Sequence, residues 1–144
     1  MDEVGRRRRV LVVDPHSAPA GLGAGWAWIY FGADASRYLA LRTSLERAAR
    51  EIPAGPLLNE TVDRFRDELL NFDVAVEPRS ELRWQATDLA ERNIFTSGFI
   101  HACACALALD RVLRSTNDDL LVVVDDVLLG RRLADVARRL GSAA

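Results

Sequence analysis

Apolar runs that stop abruptly at an acid punctuate the chain. Residues 9–14 (RVLVVD) hold four consecutive apolar positions, closed by Asp14 and Pro15. Apolar and polar positions do not alternate there, which is the pattern of a strand buried on both faces in a parallel sheet. Residues 120–126 (LLVVVDD) repeat the signature. The two runs predict parallel strands lying side by side, with their acidic tips on one rim. Residues 72–76 (FDVAV), closed by Glu77 and Pro78, give a third candidate strand. Helical spacing fills the intervals. Over residues 26–51, Leu39, Leu41, Leu45 and Ala49 oppose Arg42, Glu46 and Arg50, which predicts a helix, in two pieces if Gly32 breaks it. Residues 53–56 (PAGP) are a breaker, and Asn59 is placed to cap a helix carrying Val62, Phe65 and Leu69 on one stripe.

Ser80 offers a cap for a short helix through Leu82 and Leu89. Thr96 or Ser97 opens the most apolar helix, which runs to about Arg114. Between Phe99 and Leu109 its one polar residue is His101, so burial on all sides is expected. Residues 127–140 predict an amphipathic helix with Leu128, Leu133, Val136 and Leu140 inward. Arg131, Arg132, Arg138 and Arg139 face water, and Gly141 is the terminator. Strands separated by helices predict an α/β fold: a small parallel sheet with helices on both faces, Rossmann-like. Complete doubly wound sheets have about six strands. A sheet of two or three is therefore a minimal version, an incomplete half, or part of an oligomer that shares a sheet.

Composition narrows the class. The 144 residues fit one α/β domain, 1–144, with residues 1–8 as a flexible arm. At 49% hydrophobic and 28% charged, the chain has a core to bury and is no disordered tail. A net charge of -2 gives no bulk attraction to nucleic acid. All 19 basic residues are arginine. A Walker phosphate loop and a pyridoxal Schiff base both need lysine, so neither exists here. Cys103 and Cys105 sit two apart on one helix and point to separate sides, so a bridge between them is not expected and a cytoplasmic location is. Arg6 to Arg9 before an apolar run resembles the opening of a signal peptide, but the run ends at Asp14, short of the roughly 7–15 residues required. Residues 15–33 are uncharged, yet too polar and glycine-rich for a transmembrane segment. Abundant arginine and alanine without lysine suits a GC-rich bacterial genome.

Four groups of residues are candidates for chemistry. Asp14, His16 and Ser17 follow a strand end, where ligands of parallel sheets bind. Gly21 and Gly23 then offer backbone N–H groups to a phosphate. The stretch Gly21-Leu22-Gly23-Ala24-Gly25 falls short of a dinucleotide fingerprint, because its third glycine comes one residue early and its first lies seven residues past the strand. A flexible connection is the simpler account. Asp125 and Asp126 end the late strand; a carboxylate pair can hold a cation or a ribose hydroxyl, while capping of the last helix explains Asp126 alone. Ser97 opens the apolar helix and can present N–H groups to an anion. His101 and Cys105 share a helix face but lack two further ligands, so no metal is expected. The Arg6 to Arg9 run can touch phosphates, and a solvated arm is the plainer reading.

The stretches RVLVVD, GWAWIYF, RNIFTSGFIHACACALALDRVL and LLVVVDDVLLGRRLADVARRLG together resemble the N-terminal part of bacterial surface-carbohydrate biosynthesis proteins with a glycosyltransferase-B-like architecture. The likeness is one of pattern over most of the chain. It implies an acceptor-side half that is inactive alone, with a sugar nucleotide or glycan acceptor as partner and a second domain beyond this chain. It transfers no catalytic residue and names no cofactor. Two other functions stay open on the residues: a stand-alone module binding a nucleotide or anion at Asp14 and Asp125, and a non-catalytic interaction domain or homo-oligomer.

Overall fold

The computed structural model describes residues 8–14, 16–17, 22–75 and 98–141. The elements run β1 (Val10–Val13), β2 (Trp26–Tyr30), α1 (Ala35–Leu45), β3 (Arg50–Glu51), α2 (Ala54–Ala75), α3 (Gly98–Ser115), β4 (Asp119–Val123) and α4 (Val127–Gly141). They form two compact units. One comprises Met1–Ala54 with Leu109–Ala144, the other Gly55–Ala108.

The first unit is built on a four-stranded sheet of order β1-β4-β2-β3, parallel throughout. Val10 to Val13 lie opposite Leu120 to Val123, so the two acid-ended runs are neighbours pointing the same way, as expected. Their burial differs. β4 is central and buried at every position, whereas β1 is an edge strand with Leu11 41% exposed. The expectation of burial on both faces thus holds for β4 and fails for β1. An apolar run without alternation records what its faces need, and among the described residues β1 has a strand neighbour on one side only.

The largest correction concerns β2. The reading of residues 26–51 as helix is wrong at both ends. Residues 26–30 (WAWIY) form the other central strand, fully buried, paired to β4 from Trp26 to Tyr30. Aromatic and β-branched side chains favour a pleated, packed surface. A wholly apolar run has no period by which to tell strand from helix. The helix proper begins where Asp34 caps it, its carboxylate accepting from Ser36 N and Arg37 N. It stops at Leu45, and Arg50 and Glu51 then pair with Ala27 and Trp28.

Alternate positions sort to the two faces of the sheet. On one, Trp26, Trp28, Tyr30, Leu121 and Val123 pack with Leu41 and Leu45 of α1, with Val13 and Tyr38 at the margin. Side chains buried this fully contribute about 1.5–3 kcal/mol each. On the other face α4 lies over β1, where Gly130 approaches Val12 and Val124. Helices therefore cover both faces, as expected for a Rossmann-like sheet. Leu129, Leu133 and Ala137 of α4 are buried and its four arginines exposed. Leu128, expected inward, is 65% exposed instead: the buried stripe starts one residue later.

In the second unit, α2 absorbs the third candidate strand: residues 72–75 are helical, and Val76 lies outside the described residues. The helix starts at Ala54, so Asn59 is interior and no cap. Gly55 and Pro56 sit in its first turn, where proline lacks no needed N–H group. Ala104, Cys105 and Ala108 are buried on α3. The helix expected after Ser80, and the cap at Thr96 or Ser97, lie outside the described residues.

Candidate functional site

In a parallel sheet every strand ends at the same edge. Here that edge carries Asp14 after β1, Asp125 and Asp126 after β4, Asp34 after β2 and Glu51 at the close of β3. From β2 the chain passes through α1 to β3 on one flank. It later returns to place β4 on the opposite flank of β2. The connections leaving β2 and β4 lead to helices on opposite faces. A crevice opens where such connections diverge, the usual ligand position in open α/β sheets.

The side chains at this carboxyl edge are joined to one another. Tyr30 donates its hydroxyl to Asp125 Oδ2 at 2.6 Å, and Arg37 Nη1 donates to Asp125 Oδ1 at 3.2 Å. Arg37 Nε also lies 3.4 Å from Asp34 Oδ2. Behind Tyr30 the ring of Tyr38 stacks at 6.4 Å between centroids, and Tyr38 donates its hydroxyl to Glu51. Gly32 leaves room for this contact: a Cβ there would stand 2.2 Å from the Tyr30 hydroxyl and 2.3 Å from Asp125 Oδ2, so one of them would have to move. Burial, then the hydrogen bond to Asp125, pushes the Tyr30 phenol up to about 12.

The acids on either side are held locally. Asp126 Oδ1 accepts from Leu128 N at 2.6 Å and Leu129 N at 3.2 Å, so it caps α4. Asp14 Oδ1 accepts from His16 N at 2.8 Å and Ser17 N at 3.1 Å, and Oδ2 from the Ser17 hydroxyl at 2.8 Å. The Ser17 hydroxyl, then the His16 amide, hold the Asp14 carboxyl below its usual range. Asp14, His16 and Ser17 are thus brought together, and Val124 N donates to Val13 O at 3.0 Å, setting the two acidic tips on adjacent strands.

Gly23 is not brought to this rim. Gly25 accepts from Asp119 N at 3.0 Å, at the amino end of the sheet. Two residues span at most about 7 Å, and a five-residue strand about 17 Å, so Gly23 cannot reach the carboxyl ends. Nothing lies within 4 Å of a Cβ placed on Gly23, and Gly25 adopts a φ of 91°, which only glycine takes without strain. Gly21 and Ser97 lie outside the described residues. His101 Nε2 is 3.6 Å from Cys105 Sγ, a pairing within α3. Burial pushes the Cys105 thiol up to about 12, which suppresses nucleophilic thiolate. Among the described residues no group of three or more His, Cys, Asp and Glu is placed to hold a metal, and no helix is long and apolar enough to cross a membrane.

Sequence reasoning missed Tyr30, Gly32, Asp34 and Arg37. The signal was present: residues 26–34 (WAWIYFGAD) are a third apolar run ending in an acid. Comparison with protein families, with curated proteins and with solved structures gives no match to this chain.

Proposed function

We propose that this chain is the acceptor-side, N-terminal domain of a glycosyltransferase of the B-type architecture, working in bacterial surface-polysaccharide assembly and dependent on a second domain for transfer. The pattern likeness described above and the parallel Rossmann-like sheet support that reading. The observation that carries it is the occupancy of the helix starts beside the crevice. Two N–H groups of α1, those of Ser36 and Arg37, are taken by Asp34, and two of α4, those of Leu128 and Leu129, by Asp126. These are the groups a phosphate would need. With both filled by carboxylates, the crevice repels anions and favours a neutral ligand rich in hydroxyl donors.

A sugar meets that description. Each carboxylate offers about four acceptor positions. Asp125 has two engaged by Tyr30 and Arg37, which fix its orientation and leave the others for a sugar hydroxyl. Arg37 donates toward ring or hydroxyl oxygens, and the partly exposed ring of Tyr38 provides an apolar flank. The same occupancy weighs against a stand-alone nucleotide-binding module.

Amide-resolved NMR titration tests this with two ligand sets, neutral oligosaccharides and nucleoside diphosphates. Oligosaccharides should shift the amides of residues 31–34 and 124–126, and Asp125→Asn should abolish the response. Shifts with nucleotides alone would replace the sugar reading by an anion site, and no shift with either would remove both.

A further inference from the structure

We propose that the outer edge of β1 pairs with β1 of a second copy of this chain, antiparallel across a two-fold axis, so that two four-stranded sheets join into one. The proposal is independent of the crevice and of its ligand. β1 ends the sheet, and among the described residues no strand pairs with its outer side. Arg9 O accepts from Leu120 N and Val13 O accepts from Val124 N, so the odd-numbered positions face β4. By the two-residue period of a strand, Val10 and Val12 direct their N–H and C=O groups away from the sheet. Natural edges are usually blunted by a proline, a bulge or an inward-pointing charge. Val10 to Val13 has none of these, and Leu11 stands 41% exposed at its middle.

Geometry and charge select one register. In an antiparallel pair, outward-facing residues must meet outward-facing residues. Val10 opposite Val12 of the second copy satisfies this, puts Leu11 against its own equivalent on the axis, and forms four main-chain hydrogen bonds. Arg8 then stands opposite Asp14 in the register, its guanidinium held by Leu113 O and Asn117 Oδ1 of its own chain. Shifting by two residues in either direction sets Asp14 against Val10, or Arg8 against Val12. A parallel pairing would lay arginine beside arginine. The sequence Arg-Arg-Val-Leu-Val-Val-Asp is therefore complementary to itself only when reversed, as a closed two-fold contact requires. The opposite edge, β3, is two residues long and charged, and offers no comparable ladder.

The test is sedimentation equilibrium of the full chain from about 1 μM to about 1 mM, with amide hydrogen exchange followed by NMR over the same range. A dimer should form, and exchange at Val10 and Val12 should slow at least about tenfold across the transition, with Leu11 and Val13 protected throughout. Leu11→Lys places two like charges on the axis. Val10→Pro removes an outward donor without touching the ladder to β4. Each should yield a monomer with unchanged circular dichroism. A monomer at all concentrations overturns the proposal, including one whose Val10 and Val12 amides are already protected, since the chain then covers its own edge. A dimer that survives both substitutions, or exchanges rapidly at Val10 and Val12, overturns it as well.

Discussion

Both ends of the sheet carry acids, and each end holds them by a different means. At the amino end, arginines from the outer strands reach inward. Arg9, directly before β1, binds Asp119 through its backbone N–H, Nε and Nη2, at 2.8 to 2.9 Å, with its guanidinium 5.1 Å above the Trp26 ring. Arg50 of β3 binds Asp118 at 2.8 Å. Adjacent aspartates at the head of the inner strand β4 thus fasten both edge strands. At the carboxyl end the acids take backbone amides, hydroxyls and two arginines, Arg37 and Arg42, and much of their acceptor capacity is unspent. Charges closed upon one another build a structure; charges held in place but incompletely matched leave chemistry available to a ligand.

Substitutions can break this contrast. Asp119→Ala should have the largest effect. Asp119 is 5% exposed while Arg9 is 60% exposed, so the loss falls at the low end for a buried pair, about 3 kcal/mol. Urea denaturation should show it as a lower midpoint with an unchanged slope. Gly32→Ala, at the other end, should cost about 2 kcal/mol by forcing Tyr30 and Asp125 apart, and should also erase ligand shifts in NMR, which Asp119→Ala leaves intact. Arg50→Gln removes a surface pair and should cost only about 0.5 kcal/mol.

Titration sharpens the comparison with smaller effects. Arg50, then Thr116, hold the Asp118 carboxyl below its usual 3.8. A carboxyl with a lowered native value contributes stability that is complete above its unfolded value and is lost as pH falls through the native one. The acid limb of the stability curve should therefore be shallower in Arg50→Gln than in the parent. Tyr30 works in the opposite sense. Its raised value gives stability that is complete below 10 and lost as pH rises through about 12. Phenolate absorbance should show no tyrosine ionising at its ordinary pH, because Tyr38 is raised too, by its hydrogen bond to Glu51. Tyr30→Phe should remove the latest step, and Asp125→Asn should bring it earlier.

The amino-acid pattern disclosed the sheet better than the site. β1, β4 and α4 were legible because a β-branched run ending in acid, and a helix with arginines on one side, each announce themselves within a short window. β2 was not, since five apolar residues in a row carry no period. β3 is a strand only because Ala27 and Trp28 lie beside it, and two charged residues say nothing alone. Asp126 was legible as a cap from its position, and Asp14 as a rim acid from its strand. Tyr30, Asp34 and Arg37 became visible only once β2 was seen beside β4. The arginine clasps were hidden for a related reason, as their partners are 110 and 68 residues apart in the chain.

The strand order has a consequence for biosynthesis. β4 is made after β1, β2 and β3, yet it fills the place between β1 and β2. Until residues 119–123 leave the ribosome, β1 lacks its one neighbour among the described strands and β2 has one side open to β4. Closure waits on contacts between distant parts of the chain, which slows folding and prolongs exposure of two apolar segments. A nascent chain stalled before Asp119 should therefore be held by chaperones, and its release should coincide with emergence of β4.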